Sequence, residues 1–387
     1  MIPYGKQHIS DPDIQAVIDV LKSEFLTTGP NVEVFERKVA QYCGAKHGIA
    51  VSNGTAALHV AALALGIGEG HHGITSPNTF VASANCLAYC RAEPDFADID
   101  HEIYCVDPSE LERRITSRTK VLIPVHFAGH PCDMKAIWEI AEKHHLFVIE
   151  DAAHALGSAY QDKTGDWVKV GSCTHSHLTT FSFHPVKTIT TGEGGMIMTN
   201  DDELDRKCRL IRNHGIERES SLFKGIPLKG GSDEPWYYEM QDLGFNYRLT
   251  DIQCALGSNQ MNRLDEIIEK RRSLWRKYNQ ALKDIDKLTV PAERDWAFSA
   301  WHLYVATTVH RNDLLKELRQ SGIGAHAMYI PVHLQPWYRR NFGFKVGDFP
   351  VSESYFDKCL VLPLHPDITE DEQEFIIESV KQFFRKI

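Results

Sequence analysis

Leu146-Phe147-Val148-Ile149-Glu150-Asp151-Ala152-Ala153-His154 runs from an apolar stretch into two acids, two alanines and a histidine. A short apolar run that stops so abruptly reads as a strand of a buried sheet, expected here over Leu146 to Glu150. Asp151 then projects from the carboxyl end of a central strand, where open α/β sheets hold their ligands. The competing reading is that Asp151 caps a following helix.

The same alternation of apolar runs and helical periods extends outward from this point. Strands are expected over Gly48 to Ser52, Gly73 to Ser76, Pro94 to Ile99 and Val121 to His126, and helices over Gly54 to Leu65, Thr79 to Arg91, Pro108 to Ile115 and Asp133 to His145. This βαβ pattern predicts an α/β fold with a mostly parallel central sheet. After Asp201 come a helix, a Gly-, Ser- and Pro-rich loop around Phe223 to Pro235, and one long amphipathic run from about Thr250 to Leu282. From Trp301 onward a strand (His302 to Thr307), a helix (Asn312 to Ser321), a strand (Ala325 to Ile330) and a closing helix (Thr369 to Phe384) predict a smaller α+β domain. The expected division is a large domain over residues 1–250, then a bridging helix and small domain over 251–387.

Composition narrows the class. With 43% hydrophobic and 24% charged residues the 387-residue chain is an ordinary globular one. The net charge of −10 and the lack of a long basic run argue against nucleic acid as a partner. No signal-peptide pattern and no apolar stretch of membrane-spanning length is present, and the nine cysteines form no C-x-x-C pair. A cytoplasmic protein with reduced thiols is expected. Cys86 and Cys90, one helical turn apart, read as buried small hydrophobes. Dinucleotide-binding, Walker A, zincin and serine-elbow motifs are all missing.

The densest chemical cluster is Thr180-Phe181-Ser182-Phe183-His184-Pro185-Val186-Lys187-Thr188-Ile189-Thr190-Thr191-Gly192-Glu193-Gly194-Gly195. It sets a lysine in a mostly neutral loop between two strand-like runs. A desolvated lysine loses its proton readily, and a neutral amine condenses with an aldehyde. A surface lysine beside a glycine turn is the plainer reading of the segment alone. Ser52-Asn53-Gly54-Thr55-Ala56-Ala57-Leu58 turns from strand to helix with free N–H groups and a hydroxyl, a seat for phosphate or an ordinary cap. Pro77-Asn78-Thr79-Phe80 sets an aromatic just after a strand, for stacking on a heteroaromatic ring or for the core. In Cys173-Thr174-His175-Ser176-His177, strand alternation would put three possible metal ligands on one face, but no companion motif accompanies them, and no metal site is assigned.

Together these segments resemble the sugar aminotransferases of aspartate-aminotransferase fold (fold type I), pyridoxal-phosphate enzymes that aminate keto groups of nucleotide-linked deoxysugars. The resemblance covers nearly the whole chain. It also runs through Leu26-Thr27-Thr28-Gly29-Pro30, Thr79-Phe80-Val81-Ala82, Arg212-Asn213-His214-Gly215, Gly244-Phe245-Asn246-Tyr247-Arg248-Leu249-Thr250-Asp251 and His302-Leu303-Tyr304. It implies that Lys187 forms the Schiff base with pyridoxal 5'-phosphate and moves the proton, and that Asp151 pairs with the ring nitrogen. His154 would lie beside the cofactor's phenolic oxygen and Phe80 would stack on its ring. Thr55, Ala56 and Ser182 would hold the phosphate, with Asn246 supplied by a second subunit, so a homodimer with shared sites is implied. Arg248, Tyr329 and His333 fall where relatives tend to touch the nucleotide sugar or glutamate, although a structural role suits each equally.

The wording of Thr180 to Lys187 and of Val170-Gly171-Ser172-Cys173 is most similar to the aminotransferases of pseudaminic-acid synthesis. That implies transfer from L-glutamate to C4 of a UDP-linked 4-keto-6-deoxy-N-acetylhexosamine, with pyridoxamine 5'-phosphate between the half-reactions. Lys187 separates the chain from the branch of dehydrases that carry histidine there. Gly70-His71-His72-Gly73 departs from the acidic lead common before the second strand. A different nucleotide-sugar 3- or 4-aminotransferase, a sugar dehydrase of the same family and a cofactor-binding regulator remain the rival readings.

Overall fold

The computed structural model describes residues 1–226 and 234–387. Its centre is a seven-stranded sheet of β1 (His47–Val51), β2 (His72–Thr75), β3 (Glu93–Phe96), β4 (Thr119–Ile123), β5 (Phe147–Asp151), β6 (Leu178–Ser182) and β7 (Gly195–Thr199). The spatial order is β1-β7-β6-β5-β4-β2-β3. All neighbours are parallel except β7, which runs antiparallel to both β1 and β6.

Side chains alternate between two buried faces, as strand geometry requires. Ile49, Val51, Ile149 and Ile197 pack with the alanine-rich helix Gly54–Ala64, while Ala50, Val148, Met196 and Met198 meet Phe35, Val39 and Phe181 on the other face. Covering both faces is what permits near-continuous apolar strands. Strand expectations were met within a few residues. The overruns at Ile99, Val125 and His126 leave the ladder, Ile99 and Val125 surviving as single bridges to Val106 and Asp151.

Several expectations need correction. The helix expected from Thr79 begins at Ala82, because Thr79 Oγ1 hydrogen-bonds Ser83 Oγ at 2.7 Å and the preceding residues stay irregular. Two helices were missed, Asp11–Leu21 and Pro30–Cys43, although a Ser10/Asp13 capping box and a proline in the first turn of each mark them. The single run from Thr250 to Leu282 is two helices, Asp251–Met261 and Leu264–Leu282. They part at Arg263, whose guanidinium leaves to bond the His8 carbonyl at 3.0 Å and the Asp13 carboxylate. The first is not amphipathic: it packs against both missed helices, and a Cβ on Gly257 would sit 2.6 Å from the Phe35 ring.

The C-terminal part pairs β8 (Tyr304–Thr307) with β9 (Cys359–Leu362) and packs them with helices Arg311–Gln320 and Glu370–Lys386. The strand expected over Ala325 to Ile330 is reduced to one bridge, His326 to Val361. Beyond it the chain turns away, with Met328 held through its carbonyl by the Tyr355 hydroxyl at 3.0 Å. Helices Pro336–Phe342 and Pro350–Lys358 were not anticipated. Of the loop expected around Phe223 to Pro235, residues 227–233 lie outside the described residues.

Cys173 to His177 is not a strand. Cys173 has a positive φ of 54°, His175 faces the Tyr160 hydroxyl, and His177 Nδ1 accepts the Val148 N–H. Among the described residues no group of three potential ligands could hold a metal. All nine cysteines are buried and unpaired. Among the described residues no helix is long and apolar enough to cross a membrane.

Candidate active site

The carboxyl ends of β1, β5 and β6 open onto a cavity of about 740 Å³, lined by Thr55, Phe80, Asp151, His154, Ser182 and Lys187 among others. The lysine is delivered by the β6–β7 connection. Phe183 and Ile189 are buried anchors at either side of it, and Phe183 packs on Phe35 with ring centres 5.1 Å apart. Directly after Ile189, threonine hydroxyls satisfy the turns that a ladder would otherwise serve. Thr190 Oγ1 donates to the Phe183 carbonyl and accepts the Gly192 N–H, both at 2.9 Å, while Thr191 Oγ1 donates to the Glu193 carbonyl at 2.7 Å. Burial lowers the Lys187 ammonium to about 8 against an opposing attraction from Asp151. At that value about a tenth of the amine is neutral at pH 7, against well under a thousandth for an ordinary lysine.

Asp151 ends β5, is buried, and accepts hydrogen bonds from Ser83 Oγ at 2.6 Å and the Ala153 N–H at 3.1 Å. No helix follows it, since residues 152–158 are turns, so the helix-cap reading falls away. Ser83 carries no sequence signal of its own and was not anticipated.

Helix Gly54–Ala64 starts at the cavity. Asn53 caps it by accepting the Ala56 N–H at 2.8 Å, which leaves the amides of Gly54 and Thr55 at the first turn without intrahelical partners. Gly54 stands against Ser182 so closely that a Cβ there would lie 2.8 Å from Ser182 Cβ. The bare backbone, the Thr55 and Ser182 hydroxyls and the positive helix end form a cradle for a phosphate.

His154 is fixed by its neighbours. Its Nδ1 accepts the Ala128 N–H at 3.3 Å, so Nε2 carries the proton and faces the Tyr329 hydroxyl at 3.3 Å. Its ring lies 4.4 Å from that of His302. Burial, reinforced by the Lys187 charge, holds both histidines well below the ordinary imidazole range. Phe80 is 57% exposed at the mouth, 6.2 Å from the Tyr329 ring. Tyr4, Tyr89, Tyr247 and Met328 complete the walls and were likewise unanticipated.

The structure does not bring every expected residue here. His333 is buried in an aromatic cluster with Phe96 and Phe349 and pairs with Glu353 at 3.0 Å, outside the cavity. Arg248 donates to Asn213 Oδ1 at 2.6 Å and lines a second cavity with Arg209 and Arg212. Asn246 is exposed and lies outside the first cavity of its own chain.

A lysine of lowered basicity, a fixed carboxylate and a phosphate cradle in one cavity fit a phosphorylated aldehyde whose aromatic ring has a basic nitrogen. On this sheet, that combination defines a pyridoxal-phosphate enzyme of fold type I.

Known proteins agree. The spore coat polysaccharide biosynthesis protein SpsC of Bacillus subtilis is 39% identical, over 99% of this chain and 97% of its own. The Helicobacter pylori aminotransferase involved in biosynthesis of pseudoaminic acid superposes with a TM-score of 0.89 at 30% identity, covering 100% of both chains. A candidate sugar aminotransferase of Streptococcus pneumoniae, solved with pyridoxamine phosphate, gives a TM-score of 0.90 at 28% identity over 100% of both chains. The family model described as the DegT/DnrJ/EryC1/StrS aminotransferase family matches residues 7–381, and the chain belongs to that family. It is a pyridoxal-phosphate-dependent sugar aminotransferase.

Proposed function

We propose that the chain moves an amino group from L-glutamate to the C4 keto group of a UDP-linked 4-keto-6-deoxy-N-acetylhexosamine, for a surface glycan or pseudaminic acid. The observation that carries this reading is the single cavity holding Lys187 and Asp151 beneath tyrosine walls, with room for a cofactor and a sugar. The wording around Lys187 and the Helicobacter pylori relative support the particular sugar.

When bound, pyridoxal phosphate supplies an electron sink for the carbanion that proton loss from a substrate amine creates. Lys187, once its amine is free, would take the proton from the amino-acid α-carbon and deliver it to the cofactor's C4′ within the same half-reaction, and would run the transfer the other way, from C4′ to the sugar carbon, in the second. Asp151, held by Ser83, would keep a proton on the ring nitrogen. His154 would donate from Nε2 to the cofactor's phenolic oxygen, and Phe80 would cover the ring. Thr55, Ala56 and Ser182 would hold the phosphate, joined by Asn246 of the partner subunit. The functional unit is then a homodimer with shared sites, working in the cytoplasm beside the enzymes that make nucleotide sugars. In the division at residue 250, Met328 and Tyr329 are the cavity's contribution from the smaller domain.

The test is the visible absorption of the loaded protein before and after L-glutamate. Bleaching with release of 2-oxoglutarate supports the donor, and a panel of UDP- and dTDP-keto sugars then identifies the acceptor by mass and NMR. An absorbance that no amino donor changes would overturn the reading in favour of a regulator. The lowered Lys187 value gives a second check. The neutral amine fraction rises about ninefold from pH 6 to 7 and about fivefold from pH 7 to 8. Covalent uptake of pyridoxal phosphate by the apo-protein should accelerate with pH and level off above about 8, rather than climbing to the ordinary lysine value. Stopped-flow absorbance reads this directly.

A further inference from the structure

Next to Asp151 on the same strand, Glu150 points to the opposite face of the sheet, and its side chain is 1% exposed. The carboxylate receives three hydrogen bonds, from His126 Nε2 at 2.8 Å, Ser176 Oγ at 2.5 Å and Thr179 Oγ1 at 2.7 Å. None of these donors is a cation. His126 Nδ1 accepts the Cys132 N–H at 3.0 Å, so that nitrogen has no proton and the ring is neutral. The other titratable groups facing Glu150 are Cys43, Cys132, Tyr160, Cys173 and His175. Among the described residues no lysine or arginine pairs with it. Burial alone would raise its pKa, but three hydrogen bonds donated to the carboxylate favour its charged form, so Glu150 is ionised. A carboxylate in the core with no counter-charge is costly to keep for packing alone.

We propose that Glu150 is a positioning residue of the active site, acting through Asp151: its uncompensated buried charge, one residue away, holds protons on the cofactor's ring opposite Asp151. The inference rests on the pyridoxal-phosphate aminotransferase reading above. Its physical basis is a unit charge on the residue next to Asp151, buried where water cannot screen it. The link to Asp151 is also mechanical. The His126 N–H donates to the Asp151 carbonyl at 3.1 Å, so the residue that grips Glu150 also bonds the backbone of Asp151.

Mechanical and electrostatic roles separate by experiment. The readout is the pH titration of the bound cofactor's visible absorption in wild type, E150Q, H126Q and the double variant H126Q/E150Q. Loss of the charge disfavours the protonated cofactor, so E150Q should lower the apparent pKa by on the order of one unit. H126Q keeps the charge and should leave it within a few tenths. If E150Q alone does not accumulate, the double variant sets two amides against each other and, compared with H126Q, differs only in charge. A charge-free variant that loads cofactor and titrates like its charged counterpart overturns the proposal, as does an equal shift in H126Q. Failure of the wild-type protein to develop the absorption at all would strike the aminotransferase reading instead.

Discussion

Replacing Lys187 with alanine should abolish multiple turnover, by at least roughly 10⁵-fold, while leaving the fold intact. The size follows from the loss of both the covalent anchor and the proton carrier in one substitution. Stability should move the other way. The folded chain holds Lys187 at about 8 against an ordinary 10.5, so below pH 8 it keeps a charged amine in a desolvated place at a cost. As pH rises from 8 to 10.5 the unfolded chain binds the extra proton, and wild type gains stability relative to the variant. Apo Lys187→Ala should therefore melt at a higher temperature than wild type at pH 7, and that advantage should shrink above pH 8. Measurable steady-state turnover in the variant would remove Lys187 from the chemistry.

Asp151→Asn should reduce the rate by about 10³-fold or more, the scale of removing one preorganised electrostatic group at a reacting centre. The amide oxygen can still accept the Ala153 N–H, and the NH2 that replaces the other oxygen can donate to the Ser83 hydroxyl, so local structure has reason to survive. What disappears is the charge that holds a proton on the ring nitrogen. Single-turnover rates with a saturating amino donor measure the effect without product release. A near-normal rate would leave Asp151 a structural residue only.

Much of this was legible because it is written locally. The apolar run ending at Asp151, the threonine and glycine loop around Lys187, and the strand-to-helix turn at Gly54 each carry a short-range signature. Their order along the chain supplied what no one of them carried alone. Ser83, Tyr4 and His302 could not be found that way. Ser83 is an ordinary helix residue until the fold brings β5 beside it, and Tyr4 reaches the cavity because Ile2 bonds Gly322 and Gly324 in the C-terminal part. His333 shows the converse. The segment ending at His333 resembles a substrate-contacting one, but the aromatic residues Phe96 and Phe349 draw its ring into the core. The break at Arg263 was hidden because no proline or glycine marks it.

The antiparallel strand β7 has a consequence for the order in which a nascent chain becomes competent. β1 is an edge strand, and its one neighbour in the sheet is β7, made almost 150 residues later. Until Thr199 has left the ribosome, β1 has no ladder to join, and no strand links it to the one that carries Ser182. Pairing over such a separation carries a large loop-closure cost and forms late. The half-made chain therefore exposes the apolar faces of β1 and its alanine-rich helix during synthesis, a natural target for a holding chaperone. Cofactor capture then reports on completion of the sheet, and a ribosome-arrested chain ending before β7 should bind no pyridoxal phosphate at all.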